Sequence, residues 1–568
     1  MTDAFPPFSA AARQAHWRRL GEETWDLLVI GGGITGAAAA RDAAGRGLKV
    51  ALVEANDLGS GTSSASSRLV HGGLRYLETF DFRLVFEASA ERRRLLALAP
   101  HLVHPLPFVF PVFRGGPTPF YKLRAGMWLY DGLSLFRNIA RHTILSADDV
   151  RREEPGLRAD GLMGAARYHD ASVDDARLTL ANARGAHEAG AAVVPHAEVV
   201  GFLQDGGGVR GARVRDCLGA ARETTEVRAR VVLNATGPWS DTLRRLADPG
   251  APARLRPTKG VHLMLKRERV GNRSAIIFQS PVDGRVMFVL PWGLHTYVGT
   301  TDTDYDGSPA EVRAEPEDVR YLLESANSVF PAAALTEADV LSTWAGVRPL
   351  LAPHRSANEG LSAGATSREH EIWWDRSGLL SIGGGKLTTY RVMARQVVDR
   401  AARRLREKHG VESGVSPTAD LPLPGAPDGP WEEFLARLRA DAAALGVGED
   451  AGEHLARAYG DDALALLDAV RADPSLGARI ADGLPYVWAE VAHAVRAEMA
   501  MTLRDVMERR LHLFHEAADG GLSAARQVAG RMAREPGIAW DDAEVERQLE
   551  SYREAVESTR PTPPAPAA

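Results

Sequence analysis

Hydrophobic and polar positions near the start of the chain follow the order expected of a strand, a turn, a helix and a second strand. Residues 27–30 are all apolar, as a buried parallel strand requires. Gly31, Gly33 and Gly36 follow in the spacing G-x-G-x-x-G, and an alanine-rich segment and a second apolar run lead to Glu54. The pattern predicts a strand–helix–strand unit with a glycine turn after its first strand.

Each part of this unit suits a dinucleotide. The first glycine permits a tight turn, the second lets the backbone approach a pyrophosphate, and the third lets the helix pack close to the strand. The helix N-terminus offers free N–H groups and the positive end of its dipole to the phosphates. Glu54 ends the second strand, where a carboxylate can accept hydrogen bonds from a ribose hydroxyl. We therefore predict a dinucleotide site; the alternative is a plain glycine-rich turn.

The periodicity of the later chain predicts two further regions. Residues 258–301 hold short apolar runs separated by turn residues, which indicates a mostly antiparallel sheet inserted between pieces of the nucleotide-binding domain. From about residue 413 a Pro/Gly-rich linker leads into periodic segments that predict an all-helical domain. The predicted boundaries are an N-terminal extension at 1–23, a discontinuous nucleotide-binding domain at 24–80, 165–257 and 340–412, a substrate-binding domain at 81–164 and 258–339, a helical C-terminal domain at 413–558 and a disordered tail at 559–568.

Composition narrows the class of protein. At 568 residues the chain exceeds the size of a single hydrophobic core, so we expect two or three lobes. A formal net charge of -6 and a pI near 6.3 argue against nucleic acid as the main partner. The single cysteine, Cys217, excludes an intramolecular disulfide and a cysteine-based metal cluster, and fits a reducing cytoplasm.

The sequence argues against a membrane span and leaves contact with a membrane surface open. No stretch reaches the roughly 18 consecutive apolar residues of a membrane span, so we expect a soluble or peripheral protein. The N-terminal segment has no apolar core, which argues against a secretory signal. Residues 120–140 mix aromatic, aliphatic and basic side chains. They suit either a helix packed on the core with its basic side chains extended to solvent or a contact with a membrane surface.

Four remote glycine-rich segments favour FAD over a nicotinamide dinucleotide. FAD is long and needs contacts from several segments, and residues 31–36, 59–73, 235–237 and 383–385 supply them. A helix-capable segment follows the last of these, and its N-terminus would stabilise the negative charge of reduced flavin. The predicted cofactor-binding residues are Gly31, Gly33, Gly36, Glu54, Thr62, Ser63, Ser66, Gly72, Gly73, Ala235, Gly237, Gly384, Gly385, Leu387 and Thr388.

Two patterns that resemble metal sites are rejected. The acidic run from Asp302 begins like a calcium loop, but Arg313 stands where the bidentate acid is needed. His512 and His515 are three residues apart, a spacing that can bind metal, but no acidic or sulfur partner is in evidence to complete a site. We predict no metal site.

Several longer motifs are similar to one enzyme family. They are GTSSASSRLVHGGLRYLE, DASVDDARL, NATGPWSD, TKGVHL, GTTDTDYDG, WAGVRPL and GGGKLTTYR. In this order they resemble the FAD-dependent, aerobic glycerol-3-phosphate dehydrogenases, from about Asp26 to about Ala394 with the helical domain behind. The resemblance implies an α/β plus α fold: a glutathione-reductase-like Rossmann domain that binds FAD, an inserted antiparallel-sheet substrate domain related to amino-acid oxidases, and an all-helical C-terminal domain.

The resemblance also implies a reaction and its residues. It implies oxidation of sn-glycerol 3-phosphate to dihydroxyacetone phosphate by hydride transfer to flavin N5, with electrons passed to a membrane quinone. The substrate would then be surrounded by Arg75, Tyr76, Arg348, Arg368 and Lys386. A phosphate dianion does need Arg or Lys donors, preferably forked guanidinium groups; for each cation the alternative is a structural ion pair.

Two residues are candidates for the chemical step. His262 in TKGVHL is the predicted base for the C2 hydroxyl, because its ordinary pKa lies near neutrality; the alternative is a satisfied core histidine. Arg348 could stabilise the developing alkoxide.

Three rival functions stay open at the level of sequence. One is an oxidase of the same family that reduces oxygen to hydrogen peroxide, and another is an amine or amino-acid oxidase on the same scaffold. The third is a non-catalytic nucleotide-binding or membrane-attached scaffold protein. We expect a cytoplasmic protein and leave open a peripheral place on the inner face of the plasma membrane and a homodimer.

Overall fold

The computed structural model describes residues 7–73, 81–135, 138–219, 222–352 and 369–560. Its strands in chain order are β1 Thr24–Ile30, β2 Val50–Val53, β3 Leu69–Val70, β4 Val103–Phe113, β5 Thr143–Ser146, β6 Leu162–Val173, β7 Ala192–Val194, β8 Ala197–Asp205, β9 Gly208–Asp216, β10 Thr224–Asn234, β11 Leu255–Lys266, β12 Ala275–Gln279, β13 Val286–Trp292, β14 His295–Gly299, β15 Thr303–Asp304, β16 Val340–Leu351, β17 His370–Trp374 and β18 Leu380–Gly384.

The helices lie between these strands along the chain, and the described residues after β18 form helices without further strands. They are α1 Ala10–Glu22, α2 Ile34–Gly45, α3 Phe82–Leu98, α4 Phe120–Leu133, α5 Ala147–Glu153, α6 Asp175–Glu188, α7 Ser240–Ala247, α8 Arg267–Val270, α9 Pro316–Val329, α10 Tyr390–His409, α11 Trp431–Ala444, α12 Glu449–Tyr459, α13 Ala463–Ala472, α14 Ala489–Ala497, α15 Leu513–Glu516, α16 Leu522–Met532 and α17 Asp542–Ser558. A π-helical turn, Asp505–Arg510, precedes α15.

The first sheet is the predicted nucleotide-binding sheet. Its central path runs β17-β18-β10-β1-β2-β7, with β8 and β9 attached as a hairpin beside β10. Strands β18, β10, β1, β2 and β7 are parallel to one another, and their apolar runs are buried between helices. Because the carboxyl ends of parallel strands meet at one edge, this sheet gathers the segments that follow Ile30, Val53, Asn234 and Gly384.

The second sheet is largely antiparallel, as expected. Its path is β15-β11-β14-β13-β12-β4-β6-β3, with β16 paired to β11 and β5 to β6; the β12–β4 pair is parallel. Two predicted boundaries are wrong here, because β6 and β16 belong to this sheet and not to the nucleotide-binding one. Both strands pair along almost their whole length with β4 and β11, and these partners are remote in sequence, so the local pattern could not assign them. The short β3 and the first residues of β11 also cross the predicted boundary.

The C-terminal domain is helical from α11 onward, which confirms the predicted class. It is not a separate body, because the largest hydrophobic core combines residues of α2, α6 and α10 with Val491, Leu511 and Phe514 of the C-terminal domain. A smaller core lies among α11, α12 and α13. Among the described residues, no helix is both long and apolar enough to cross a membrane.

Candidate active site

The glycine turn after β1 has the geometry that its spacing predicts. Gly31 has φ +108°, and a Cβ on it would lie 2.7 Å from the carbonyl oxygen of Ala235. A Cβ on Gly36 would lie 1.8 Å from the carbonyl oxygen of Gly31. Gly33 caps α2, and a Cβ there would meet only the Ser63 hydroxyl at 3.1 Å. Two of the glycines are therefore required by the fold itself, whereas Gly33 leaves room for a ligand.

Glu54 is fixed by backbone donors at the end of β2. Its carboxylate accepts hydrogen bonds from the N–H of Gly32 at 2.7 Å and of Asn56 at 2.9 Å. Burial raises the pKa of Glu54, and these two N–H groups oppose the increase. The carboxylate is therefore held at the cavity wall in one orientation.

A cavity of about 810 Å³ lies along the carboxyl edge of the first sheet. Its volume is typical of small-molecule sites, which span about 300–1,000 Å³. The predicted residues that line it are Gly31, Gly33, Glu54, Thr62, Ser63, Ser66, Ala235, Gly237, Gly384, Gly385 and Leu387. Segments from four remote parts of the chain thus meet at one cavity, as a long dinucleotide requires.

Four predicted cofactor residues lie elsewhere. Gly36 packs against the carbonyl oxygen of Gly31 and lines neither cavity. Thr388 lines a second cavity that adjoins the first. Gly72 and Gly73 line neither cavity. A Cβ on Gly72 would lie 2.2 Å from the hydroxyl of Tyr130, so this glycine serves close packing.

A second cavity of about 240 Å³ joins the first and extends between the two sheets. The residues common to both walls are Thr62, Ser66, Pro349, Gly385, Lys386 and Leu387. Arg348, Lys386 and Asp302 make part of its wall charged. The apolar and aromatic part comes from Phe108, Tyr168, Ile277, Val286 and Phe288. A small anion with a short carbon chain matches this combination.

Arg348 owes its position to the pairing of β16 with β11. Its guanidinium donates to Asp302 at 3.1 Å and to the hydroxyl of Thr300 at 3.0 Å. A Cβ on Gly260, in the neighbouring strand, would lie 2.3 Å from the guanidinium, so the glycine of TKGVHL makes room for it. Lys386 precedes the turn that leads into α10 and faces both cavities. The other predicted substrate residues, Arg75, Tyr76 and Arg368, lie outside the described residues.

His262 lies behind the cavity wall. It is 2% exposed, lines neither cavity and stacks on Trp344 with ring centroids 4.9 Å apart. Its Nε2 is 2.9 Å from the hydroxyl oxygen of Ser67, and Ser67 lines the second cavity. Burial, followed by the charges of Arg348 and Arg68, holds the pKa of His262 well below its usual value. The neutral imidazole therefore reaches the cavity only through Ser67.

Sequence reasoning missed Ser67 and Asp170 as individual site residues, although both lie within the motifs quoted above. Asp170 is 1% exposed, lines the second cavity and forms an ion pair with Arg92. It also accepts hydrogen bonds from the N–H of Gly72 at 2.9 Å and from the hydroxyl of Tyr130 at 3.0 Å. This buried carboxylate thereby holds the segment that leads toward Arg75.

A nearby histidine predicts how stability depends on pH. His515 is buried beside Trp344, and burial, followed by the charge of Arg68, holds its pKa well below its usual value. As pH falls, the unfolded chain binds this proton first, near its ordinary pKa of about 6.5. Stability is therefore lost from about pH 6.5 downward, toward the lowered pKa of the folded state.

We expect His515→Gln to remove this contribution. Relative to the variant, the parent should lose about 1.4 kcal/mol of unfolding free energy between pH 7.5 and 5.5. Chemical denaturation of both proteins at the two pH values measures the difference. An equal loss in the two proteins would contradict the assignment.

A dinucleotide turn whose cavity adjoins a second, partly cationic cavity beside an antiparallel sheet is the arrangement expected of a dinucleotide-dependent oxidoreductase. Residues 26–391 match the family described as FAD dependent oxidoreductase, and residues 416–545 match the C-terminal domain of alpha-glycerophosphate oxidase. The chain belongs to this family of FAD-dependent oxidoreductases, and its cofactor is FAD. The convergence of remote glycine segments on one cavity fits that cofactor.

Known proteins are similar over nearly the whole chain. "Glycerol-3-phosphate dehydrogenase 2" of Mycobacterium tuberculosis is 40% identical over 552 residues, covering 96% of this chain and 91% of that protein. "Glycerol-3-phosphate dehydrogenase" of Synechocystis is 38% identical over 549 residues, covering 94% and 96%. The crystal structure of glycerol-3-phosphate dehydrogenase from Bacillus halodurans, complexed with FAD, has a TM-score of 0.80 at 32% identity and covers 99% of this chain and 100% of that one. These similarities confirm the family resemblance and the expected cofactor.

Proposed function

We propose that this chain oxidises sn-glycerol 3-phosphate to dihydroxyacetone phosphate and passes the electrons to a quinone. The observation that carries the proposal is the position of two cations: Lys386 lies where the second cavity meets the first, and Arg348 lines the second cavity beside Pro349, which lines both. We assign the first cavity to FAD and call it the FAD cavity. The names of the similar proteins, which cover nearly the full chain, support the same substrate. When bound, FAD supplies the hydride acceptor for the C2–H bond.

The cationic wall binds the phosphate end of the substrate. Two cations at one wall suit a dianion, because hydrogen bonds from a charged donor to phosphate are stronger than those between neutral groups. Asp302 and Thr300 hold this guanidinium in place. We assign Arg75, Tyr76 and Arg368 to the same substrate by resemblance.

Removal of the hydroxyl proton requires a base within reach of C2. We assign the proton first to the hydroxyl oxygen of Ser67, whose own proton passes to Nε2 of His262, 2.9 Å away. The C2–O bond becomes a carbonyl as the C2–H hydride leaves. Arg348 stabilises negative charge on the oxygen during this step. The lowered pKa of His262 keeps the imidazole neutral at neutral pH, and it also makes this histidine a weaker base than a free one.

Ser67→Ala and His262→Ala test this pair. Each variant should retain FAD and lose roughly 10²- to 10⁴-fold in kcat, the usual contribution of acid–base catalysis. Because the two groups act in series, the double variant should lose little more than either single variant. Steady-state rates across pH 6–9 measure both effects. If His262→Ala keeps the parent rate and pH profile, its role as base is wrong.

A quinone acceptor requires access to the membrane, which α4 can provide. Tyr121 and Trp128 on this helix are 77% and 61% exposed, and the neighbouring Lys122 and Arg124 are exposed as well. The buried face of α4 carries Tyr130, which bonds Asp170 at the wall of the second cavity. We place the contact with the inner face of the plasma membrane at this exposed side of α4.

Anaerobic mixing with sn-glycerol 3-phosphate is the decisive experiment for substrate and acceptor. The flavin absorbance should bleach, and a short-chain quinone should restore it faster than dissolved oxygen does. A flavin that does not bleach contradicts the substrate. Reoxidation by oxygen at the quinone rate, with stoichiometric hydrogen peroxide, favours the oxidase instead.

A further inference from the structure

Residues of the C-terminal domain line the FAD cavity. Thr502, which precedes the π-helical turn, and Glu544 and Gln548 on α17 contribute to the same wall as Glu54 and the loop after it. No glycine motif marks these positions, and they lie far from the nucleotide-binding sequence. A domain with no assigned role thus forms part of the cofactor site.

A continuous set of contacts places this wall at the adenosine end of the cavity. The N–H of His196 donates to the carbonyl of Asn56, beside Glu54, at 2.8 Å. The ring of His196 meets the carboxylate of Asp505 at 2.9 Å, and Asp505 accepts the Thr502 hydroxyl at 2.6 Å. Because Glu54 occupies the position of the ribose-binding acid, Thr502 lies beside the adenosine half.

Buried ion pairs hold the domain against the nucleotide-binding sheet. Asp57 is 1% exposed and accepts from Arg509 at 2.6 Å and from Arg510. Asp57, His196 and Asp505 are close enough together to suit a metal ion, but these two arginines already supply the positive charge. The cluster therefore joins the C-terminal domain to the nucleotide-binding domain by buried ion pairs.

Asp505 takes part in these ion pairs as a carboxylate. Burial alone would raise its pKa, but His196, then Arg509 and Arg510, lower the pKa well below its usual range. Removing one partner of such a buried network is strongly destabilising, so the network fixes the position of the segment that carries Thr502.

Gln548 is the wall residue best suited to contact the cofactor. Its Oε1 accepts from the N–H of Leu503 at 3.1 Å, which ties α17 to the segment after Thr502. Its Nε2 donates to Glu544 at 2.8 Å. An amide nitrogen has two N–H donors, so the second is available for a ribose hydroxyl or an adenine nitrogen.

We infer that the C-terminal domain forms the outer wall of the adenosine part of the FAD site and that Gln548 donates a hydrogen bond to that half of the cofactor. The affinity for FAD then depends on a domain outside the Rossmann fold. Binding of FAD in turn restrains α17, since a ligand stabilises the states that bind it.

FAD titration of the apoprotein tests the contact. Gln548→Met keeps the length of the side chain and removes its donors, and we expect its Kd for FAD to rise by about 10-fold or more. Glu550→Ala is the matched control, because Glu550 lies on the same helix, exposed and paired with Arg553. Its Kd should equal that of the parent protein.

Hydrogen exchange of the parent apoprotein, measured with and without FAD, tests the same inference without any substitution. Addition of FAD should slow exchange of the amides of residues 502–503 and 542–552, whereas α12 should keep its rates. Unchanged exchange in α17 on FAD binding overturns the inference. A Kd for Gln548→Met within twofold of the Glu550→Ala control overturns it equally.

Discussion

Arg348→Ala should abolish most of the activity toward glycerol 3-phosphate while the protein keeps its yellow flavin. Loss of one partner from a buried, hydrogen-bonded charge pair costs about 2–5 kcal/mol, which corresponds to a roughly 30- to 5,000-fold fall in kcat/KM. Arg348 acts on phosphate and on the alkoxide oxygen in our assignment, so both KM and kcat should change. Steady-state kinetics and the flavin spectrum of the purified variant measure the two properties.

Two further variants separate binding from packing. Arg269→Ala removes an exposed arginine of the same domain, paired with Asp339, and should leave kcat/KM unchanged. Arg348→Lys keeps the charge but loses the fork, and it should recover only part of the activity. If Arg348→Ala retains kcat/KM within threefold of the parent, the guanidinium is a structural ion pair with Asp302, and the substrate assignment fails.

Short-range patterns predicted the parts of the site that depend on consecutive residues. Gly31, Gly36 and Glu54 could be assigned because one strand, one turn and one helix fix their relative positions. The glycine segment at 235–237 followed from the same rule, since it comes directly after a parallel strand next to β1. Arg348 came from the resemblance, which carries long-range information that periodicity lacks.

Long-range pairings explain what the sequence could not provide. The assignment of β16 to the second sheet depends on its pairing with β11, and the chain between the two strands gives no local sign of it. The position of His262 behind Ser67 depends on stacking against Trp344, a residue of the opposite strand. The local sequence around a histidine in an apolar strand is the same whether its side chain faces a cavity or packs in a core.

The two cavities assign separate roles to the two sheets. The first cavity is lined by backbone turns of the first sheet and by Thr502, Glu544 and Gln548 of the C-terminal domain, whereas the second sheet supplies Arg348 and the aromatic side chains of the second cavity. Changes in the second sheet should therefore alter substrate preference without releasing FAD, and changes in the glycine turn should do the reverse.

Gly33→Val is the sharpest test of that division. A side chain at this position would occupy the space through which the cofactor phosphates approach the N-terminus of α2. Within the protein, however, a Cβ there meets only the Ser63 hydroxyl at 3.1 Å. The variant should therefore fold, with an apoprotein melting temperature close to that of the parent, and should bind FAD at least about 100-fold more weakly, equivalent to about 2.8 kcal/mol.

Gly36→Ala supplies the contrast within the same turn. Its Cβ would lie 1.8 Å from the carbonyl oxygen of Gly31, so the helix must move away from the strand. We expect a loss of about 1–3 kcal/mol or more in apoprotein stability, typical of overpacking. Thermal unfolding and FAD titration of the two apoproteins distinguish the effects. If Gly33→Val destabilises the apoprotein as much as Gly36→Ala does, its effect on FAD is a folding defect, and the proposed approach of the phosphates at Gly33 loses its support.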